Sequence, residues 1–280
     1  MSPMQTGIPV TLPGGLLMEG RRTRDAMLRP IDGHLEEQVS MAMVGRGSLP
    51  AVVSSVLSAA LLSLGKEAAS PKQLALLTMA DRQWLMLNLA RALQDGGFWL
   101  KGHCGDCKRP FDIYVDPRQL PLKTAGESFP FVELTLGEDK VRFRLPNGAD
   151  QERIAGLEPG EAVTQLLSSC LLSVNSEPAS AAYVDGLSLE ALQKIEEAFD
   201  QVSPHVGTVL ATACPECKQP QQMEINPYAL FSARHESLFE EVHTLASEYH
   251  WSEKEILSLS RQRRRLYLRL IERSRSVVVS

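Results

Sequence analysis

Cys104-Gly105-Asp106-Cys107-Lys108-Arg109-Pro110 and Cys214-Pro215-Glu216-Cys217-Lys218-Gln219-Pro220 are the two stretches on which the reading of this chain turns. They lie 110 residues apart, and the match continues without a gap: Ile113 pairs with Met223, Val115 with Ile225, Asp116-Pro117 with Asn226-Pro227, and Leu120 with Leu230. Each copy reads as strand, knuckle, strand and proline stop. A Cys-x-x-Cys knuckle offers two sulfurs and inward-pointing backbone N–H groups. Two knuckles supply the four soft thiolates of a closed, tetrahedral Zn²⁺ site. Cys104, Cys107, Cys214 and Cys217 are therefore the expected ligands of one structural Zn²⁺ ion. Lys101, Lys108 and Lys218 stand close enough in sequence to offset the charge of four thiolates.

The separation is wide, with 106 residues between the knuckles. Closing a loop of about 100 residues costs roughly 4 to 5 kcal/mol of chain entropy. Structural zinc binding is worth about 10 to 16 kcal/mol in small modules, so the ion can tie both halves into one body. A redox role for one Cys-x-x-Cys lacks the βαβ pattern that would accompany it. Four cysteines also suit an iron–sulfur cluster, and the sequence leaves zinc against iron open, although the pair-and-pair symmetry favours zinc. His103 is an alternative ligand beside the first knuckle. Cys170, among leucines, reads as a small core residue.

Outward from the knuckles the pattern is α+β, mostly helical with short antiparallel strands. Residues 1–20 read as a flexible arm. Residues 21–97 form a helical region: a strand over 21–30, a turn at Asp32-Gly33, a short helix over 36–42 and a buried helix over 51–64 closed by Gly65. Ser70-Pro71 starts the next helix, and Asp81 another whose apolar residues spread over more than one face. Residues 98–172 hold the first knuckle, with Phe111, Ile113 and Val115 alternating as a strand, then a hairpin around residues 137–139 and a helix over 160–172. Residues 173–187, rich in Ser, Ala and Pro, read as a linker. Residues 188–280 carry a helix capped by Ser188, strands over 206–211 and around Met223, and a helical stretch over 228–249 with Phe231, His235, Leu238, Val242, Leu245 and Tyr249 on one face. Ser252 and Ser260 begin two further short helices.

With 280 residues, 44% hydrophobic and 22% charged, the chain has the composition of a globular protein. A net charge of −5 gives no general case for nucleic-acid or membrane binding, and 6% aromatics leave little for base stacking. The longest apolar run, over residues 51–64, includes four serines and is shorter than the about 20 residues of a membrane span. No secretory signal is visible, so the expectation is a cytoplasmic protein. P-loop, dinucleotide and nucleophile-elbow patterns are missing, and His235-Glu236 lacks the second histidine of a zinc-protease motif. His243 and His250 read as packed or surface residues.

Seven arginines fall within residues 261–275. Arg261, Arg265, Arg269 and Arg273 recur every fourth residue and line one stripe, with Leu266, Tyr267, Leu270 and Ile271 opposite. Such a stripe is either a solvated face or a dock for an acidic partner surface, where arginine's bidentate pairing confers orientation. Trp251, at the break before Ser252, joins these four as a candidate partner contact.

Several ordered stretches carry a family resemblance: residues 21–36, residues 77–89 with Asp81-Arg82, Val141-Arg142-Phe143-Arg144-Leu145-Pro146-Asn147-Gly148-Ala149-Asp150, and residues 242–256 with the arginines that follow. Together they resemble the T4-type baseplate hub assembly chaperone family of contractile phages and related injection particles, and the cysteine pairs are similar to those of its zinc-bearing members. The resemblance implies a non-enzymatic accessory protein that binds baseplate or hub proteins, in the cytoplasm or retained in the particle. A zinc-ribbon nucleic-acid binder is the competing reading, and a metal hydrolase a third that a closed all-cysteine shell disfavours.

Overall fold

The computed structural model describes residues 7–94, 96–178, 180–228, 231 and 235–278. The first unit opens with the hairpin β1 (Ile8–Met18) and β2 (Arg21–Leu28). The arm expected over residues 1–20 is thus a strand from Ile8 onward, while residues 1–6 lie outside the described residues. Pro13-Gly14-Gly15 masks the strand in the sequence, because these residues form a bulge between the Thr11–Asp25 and Leu16–Thr23 pairs. The bulge turns two backbone N–H groups inward, and buried Asp81 accepts both, from Gly14 at 2.7 Å and Gly15 at 3.0 Å. Burial pushes the Asp81 pKa up, against the Thr78 hydroxyl and these two amides.

Helices α1 (Gly33–Val44) and α2 (Leu49–Ala60) follow. Asp32-Gly33, read as a turn, is instead a cap: the Asp32 carboxylate accepts from the Leu35 N–H. The helix expected over residues 51–64 stops at Ala60, and β3 (Leu61–Leu64) pairs with β2. One apolar run serves both elements, since Leu61 and Leu64 are buried in the strand as fully as Val56 and Leu57 are in the helix. Gly65, at φ +60, turns the chain into β4 (Glu67–Ala68). Ser70 and Gln73 then form a reciprocal capping box on α3 (Pro71–Leu76). Thr78 caps α4 (Met79–Leu93), three residues before the expected start. Trp84, Leu85, Met86, Leu87 and Leu89 are all buried, so α4 is the axis of the first core.

The first ribbon, β5 (Phe98–His103) with β6 (Pro110–Val115), leads through a 3₁₀ turn at Pro117–Gln119 to β7 (Leu122–Lys123). The second unit then repeats the first: β8 (Phe131–Leu136), β9 (Asp139–Arg144), α5 (Gly148–Ile154), α6 (Pro159–Cys170), β10 (Leu171–Val174), β11 (Glu177–Pro178), α7 (Ala181–Asp185) and α8 (Leu189–Val202). The two four-stranded sheets share one topology, β1-β2-β3-β4 and β8-β9-β10-β11. Residues 173–187 are therefore no simple linker. Val174 and Val184 pack into the second core, and residue 179 lies outside the described residues. The helix expected over 160–172 likewise ends at Cys170 and passes into β10. β12 (His205–Val206) pairs with β7, and the second ribbon is β13 (Val209–Ala213) with β14 (Pro220–Glu224).

The third unit holds helices alone: α9 (His235–Tyr249), α10 (Glu253–Leu257) and α11 (Arg261–Val278). Residues 229–230 and 232–234 of the stretch read as helical lie outside the described residues. Leu238, Val242 and Leu245 make the buried stripe expected of α9. Ser252 and Glu255 form a capping box like that of Ser70 and Gln73. α11 runs for 18 residues rather than as a short piece. The fold class is α+β, mostly helical with short antiparallel strands. No helix among the described residues is long and apolar enough to cross a membrane.

Candidate functional site

Each ribbon ends in a knuckle built by the same backbone bonds. Cys104 N–H donates to Arg109 O at 3.0 Å, and Cys214 N–H to Gln219 O at 2.9 Å. Lys108 and Lys218 then return N–H bonds to Cys104 O and Cys214 O, at 3.1 and 3.0 Å. Both lysines take the left-handed backbone, φ 60 and 63, which tightens the turn. Their ammonium groups bond the carbonyls of Gly105 and Pro215, so they brace the knuckle backbone. The two ribbons meet at Gly102, where a Cβ would stand 2.7 Å from the Met223 methyl.

This packing brings all four sulfurs of Cys104, Cys107, Cys214 and Cys217 within 4.8 Å of one another. Cys104 to Cys217 is 3.6 Å and Cys107 to Cys214 is 3.7 Å. A tetrahedron with metal–sulfur bonds of about 2.3 Å has edges of roughly 3.8 Å, so the donor set fits one closed metal site. Cys104 and Cys214 are buried, with Phe111 and Met223 against the cluster. The Cys107 and Glu-flanked Cys217 sulfurs lie nearer the surface. Asp106 and Cys107 N–H groups each approach the Cys104 sulfur at 3.4 Å. N–H donors from Cys217 and Glu216 hold the Cys214 thiol down at about 7, while at Cys217 the Gln219 N–H is outweighed by burial and the three neighbouring sulfurs, which push that thiol up to about 12, as expected of four thiols crowded together. Across the cluster, Arg109 pairs with Glu216 at 2.6 Å, and Gln221 bridges Gly105 N–H and Asp106. The knuckles are thus joined by protein contacts as well as by sulfur chemistry.

Cys170 behaves otherwise. It is fully buried, and burial pushes its thiol up to about 12. That is the environment of a core group rather than a nucleophile.

A family model described as T4 bacteriophage base plate protein matches residues 47–231, more than half of the chain and both knuckles. This chain belongs to that family. No curated protein and no solved structure matches. In this base plate protein the matched segment runs from α2 through the second ribbon, so the four-cysteine cluster lies inside the family's common part.

The remaining candidates sit on the third unit. Trp251 is half-buried, stacked on Tyr249 at 4.8 Å between centroids and edge-on to Tyr267 at 4.9 Å. Arg261 and Arg265 are also half-buried, whereas Arg269 and Arg273 are exposed. Leu266 and Leu270, expected opposite the stripe, instead share its exposed end with Arg269 and Arg273 and are about half exposed, because steps of four residues carry the stripe around the helix toward them.

Sequence reasoning missed two buried arginines. Arg264 is 0% exposed and donates to Glu36 of α1 at 2.7 Å, Glu241 of α9 at 3.0 Å and the Leu259 carbonyl at 2.9 Å. Burial works against its charge, but Glu36 and Glu241 outweigh that and raise its pKa. Arg82, equally deep, donates to Pro50 O at 2.7 Å and the Ser54 hydroxyl at 2.9 Å. Its partner acid Glu152 is farther, at 4.0 Å, and burial lowers the pKa of Arg82. A common pattern could have exposed both: Ser70, Leu77, Thr78 and Arg82 stand at the spacing of Ser252, Leu259, Ser260 and Arg264.

Proposed function

We propose that this base plate protein is a non-enzymatic assembly factor or minor structural component of the baseplate hub of a contractile tail or related injection particle. The family match carries this reading. It would act in the cytoplasm where tails assemble, or stay in the particle, by binding hub or baseplate proteins. Cys104, Cys107, Cys214 and Cys217 would hold one structural Zn²⁺, because a closed shell of four thiolates leaves no open position for a substrate or water. Bound there, zinc supplies a crosslink between the two ribbons. Elemental analysis of the pure protein is expected to find one zinc per chain, and iron or a metal-free folded protein would refute the assignment.

The exposed α11 face is the partner surface on this reading. Leu266 and Leu270 offer apolar area and Arg269 and Arg273 offer paired donors, a combination suited to an acidic, partly apolar protein surface. Arg261 and Arg265, half-buried, and Trp251, within its ring cluster, would support the face from behind. Arg269→Glu with Arg273→Glu is expected to leave metal content unchanged and shift stability by under about 0.5 kcal/mol. The same variant should lose co-purification with hub or baseplate subunits and yield fewer complete tails. Normal tail assembly with this folded variant would rule out α11 as the dock.

A further inference from the structure

Two joints inside the chain are built alike. In the first, the α5 N-cap Asn147 makes a backbone bridge to Thr78, the α4 N-cap, and Gly148 N–H donates to Leu77 O at 3.0 Å. In the second, the α1 N-cap Asp32 bridges Ser260 at the start of α11. Each incoming helix begins with a glycine packed closely against the receiving side. A Cβ on Gly148 would stand 1.9 Å from Arg82 Nη1, and a Cβ on Gly33 would stand 2.8 Å from Leu257 Cα. Each then presents an acid to the arginine four residues past the receiving cap: Glu152 to Arg82, and Glu36 to Arg264.

The second unit has the same receiving position, displaced by 110 residues from the first: Ser188 for Thr78, Leu192 for Arg82 and Val163 for Val53. Among the described residues no chain segment bridges it. Val53, beneath the first joint, is 3% exposed, whereas Val163 is 48% exposed. Val163, Leu166 and Leu192 line an open, mainly apolar cleft of about 990 Å³ that also takes in Met79, Pro146 and Tyr228, while the cap Ser188 lines a second cavity with Leu187 and Lys194. Both helices of this chain that enter such joints, α1 and α5, are already engaged, so a second copy could not supply either of them.

We infer that the receiving position formed by Ser188, Leu192 and Val163, with the cleft beside it, is a third joint, and that it receives the first two turns of a helix from a baseplate subunit. The joint extends an interface the chain already makes twice. Leu192 in place of arginine selects the occupant: aliphatic residues where α1 and α5 carry Glu36 and Glu152, after an Asx or Ser/Thr cap. The identity of the partner as a baseplate subunit rests on the proposed function, while the joint geometry does not.

The test uses the full chain in cells assembling tails. A photo-crosslinking residue at position 163 is compared with one at position 269 on α11. The expected adduct from 163 joins a baseplate subunit within the first two turns of a helix, with aliphatic side chains in the second turn. Val163→Arg, at a half-exposed site, should keep metal content and melting temperature and lower complete-tail yield about tenfold, the loss of one well-packed contact. An adduct at 269 with none at 163 overturns the third joint alone. An adduct from 163 to a strand, a loop or a second copy of this chain overturns it as well. Adducts at neither position overturn both the joint and the assembly reading.

Discussion

Cys104→Ser is expected to empty the metal site and lower the melting temperature by about 10 °C, whereas Cys170→Ser should lower it by only about 2 to 4 °C. Cys104 contributes one of four sulfurs clustered within 4.8 Å, and its own ribbon meets the other across 106 intervening residues. Removing one ligand forfeits a large part of a binding free energy of about 10 to 16 kcal/mol in comparable small sites. The Arg109–Glu216 pair and the Gln221 bridge remain, so the loss is smaller than that figure; about 4 kcal/mol, at roughly 2 to 4 °C per kcal/mol, corresponds to the shift stated. Cys170→Ser swaps a buried thiol for a hydroxyl beside Arg144, whose Nη1 stands 3.7 Å from the sulfur, so the new group has a partner and costs about 1 kcal/mol. Thermal melts with metal analysis on both variants decide the matter. Equal shifts, or a metal-replete Cys104→Ser protein, would remove the cluster from its assigned role. Acid should reproduce the loss in the wild type, since protons compete with metal for thiolates as pH falls.

Arg264→Ala is expected to cost about 3 to 5 kcal/mol, because it leaves Glu36 and Glu241 without the buried counter-charge they share. The guanidinium ties α1 of the first unit to α9 and to the start of α11, so its loss should loosen the third unit as a whole. Arg263→Ala, one residue away and exposed, should change stability by less than about 0.5 kcal/mol. Arg264→Met combined with Glu36→Leu and Glu241→Leu should recover most of the loss, since an apolar cluster can replace a buried ion triad at little cost. Denaturant melts of the four proteins provide the readout. If Arg264→Ala and Arg263→Ala unfold together, the triad adds nothing to this joint.

The base plate family match and the four-cysteine cluster were both legible in advance, for a simple reason. Knuckles and caps are local: Cys-x-x-Cys, Ser70-Pro71, Ser188 and Ser252 specify their geometry within a few residues, and the structure shows caps at all three serines. The 110-residue repeat was visible around the cysteines because those positions are held to one chemistry. It also runs into the sheets at β3 and β10, where Leu61-Leu62-Ser63 and Leu171-Leu172-Ser173 match at the same spacing, but it fades at β2 and β9, where Arg21 to Leu28 and Asp139 to Arg144 share a place in the fold but little sequence.

What the chain determines alone is which faces are apolar and where helices can begin. What covers those faces is settled only when distant elements arrive. Leu61 to Leu64 becomes a strand because β2 is there to pair with it. Pro13 to Gly15 is tolerated in β1 because Asp81, far along the chain, accepts the bulge's N–H groups. The seven arginines of α11 look alike as a basic run, yet Arg264 is sealed against two glutamates while Arg269 meets solvent. The fourth position past the receiving cap thus holds Arg82, Leu192 and Arg264 in the three units, and among the described residues an incoming helix covers the first and third and not the second. Periodicity encodes a surface's polarity; the desolvation that gives a buried charge its energy depends on contacts that only tertiary packing creates.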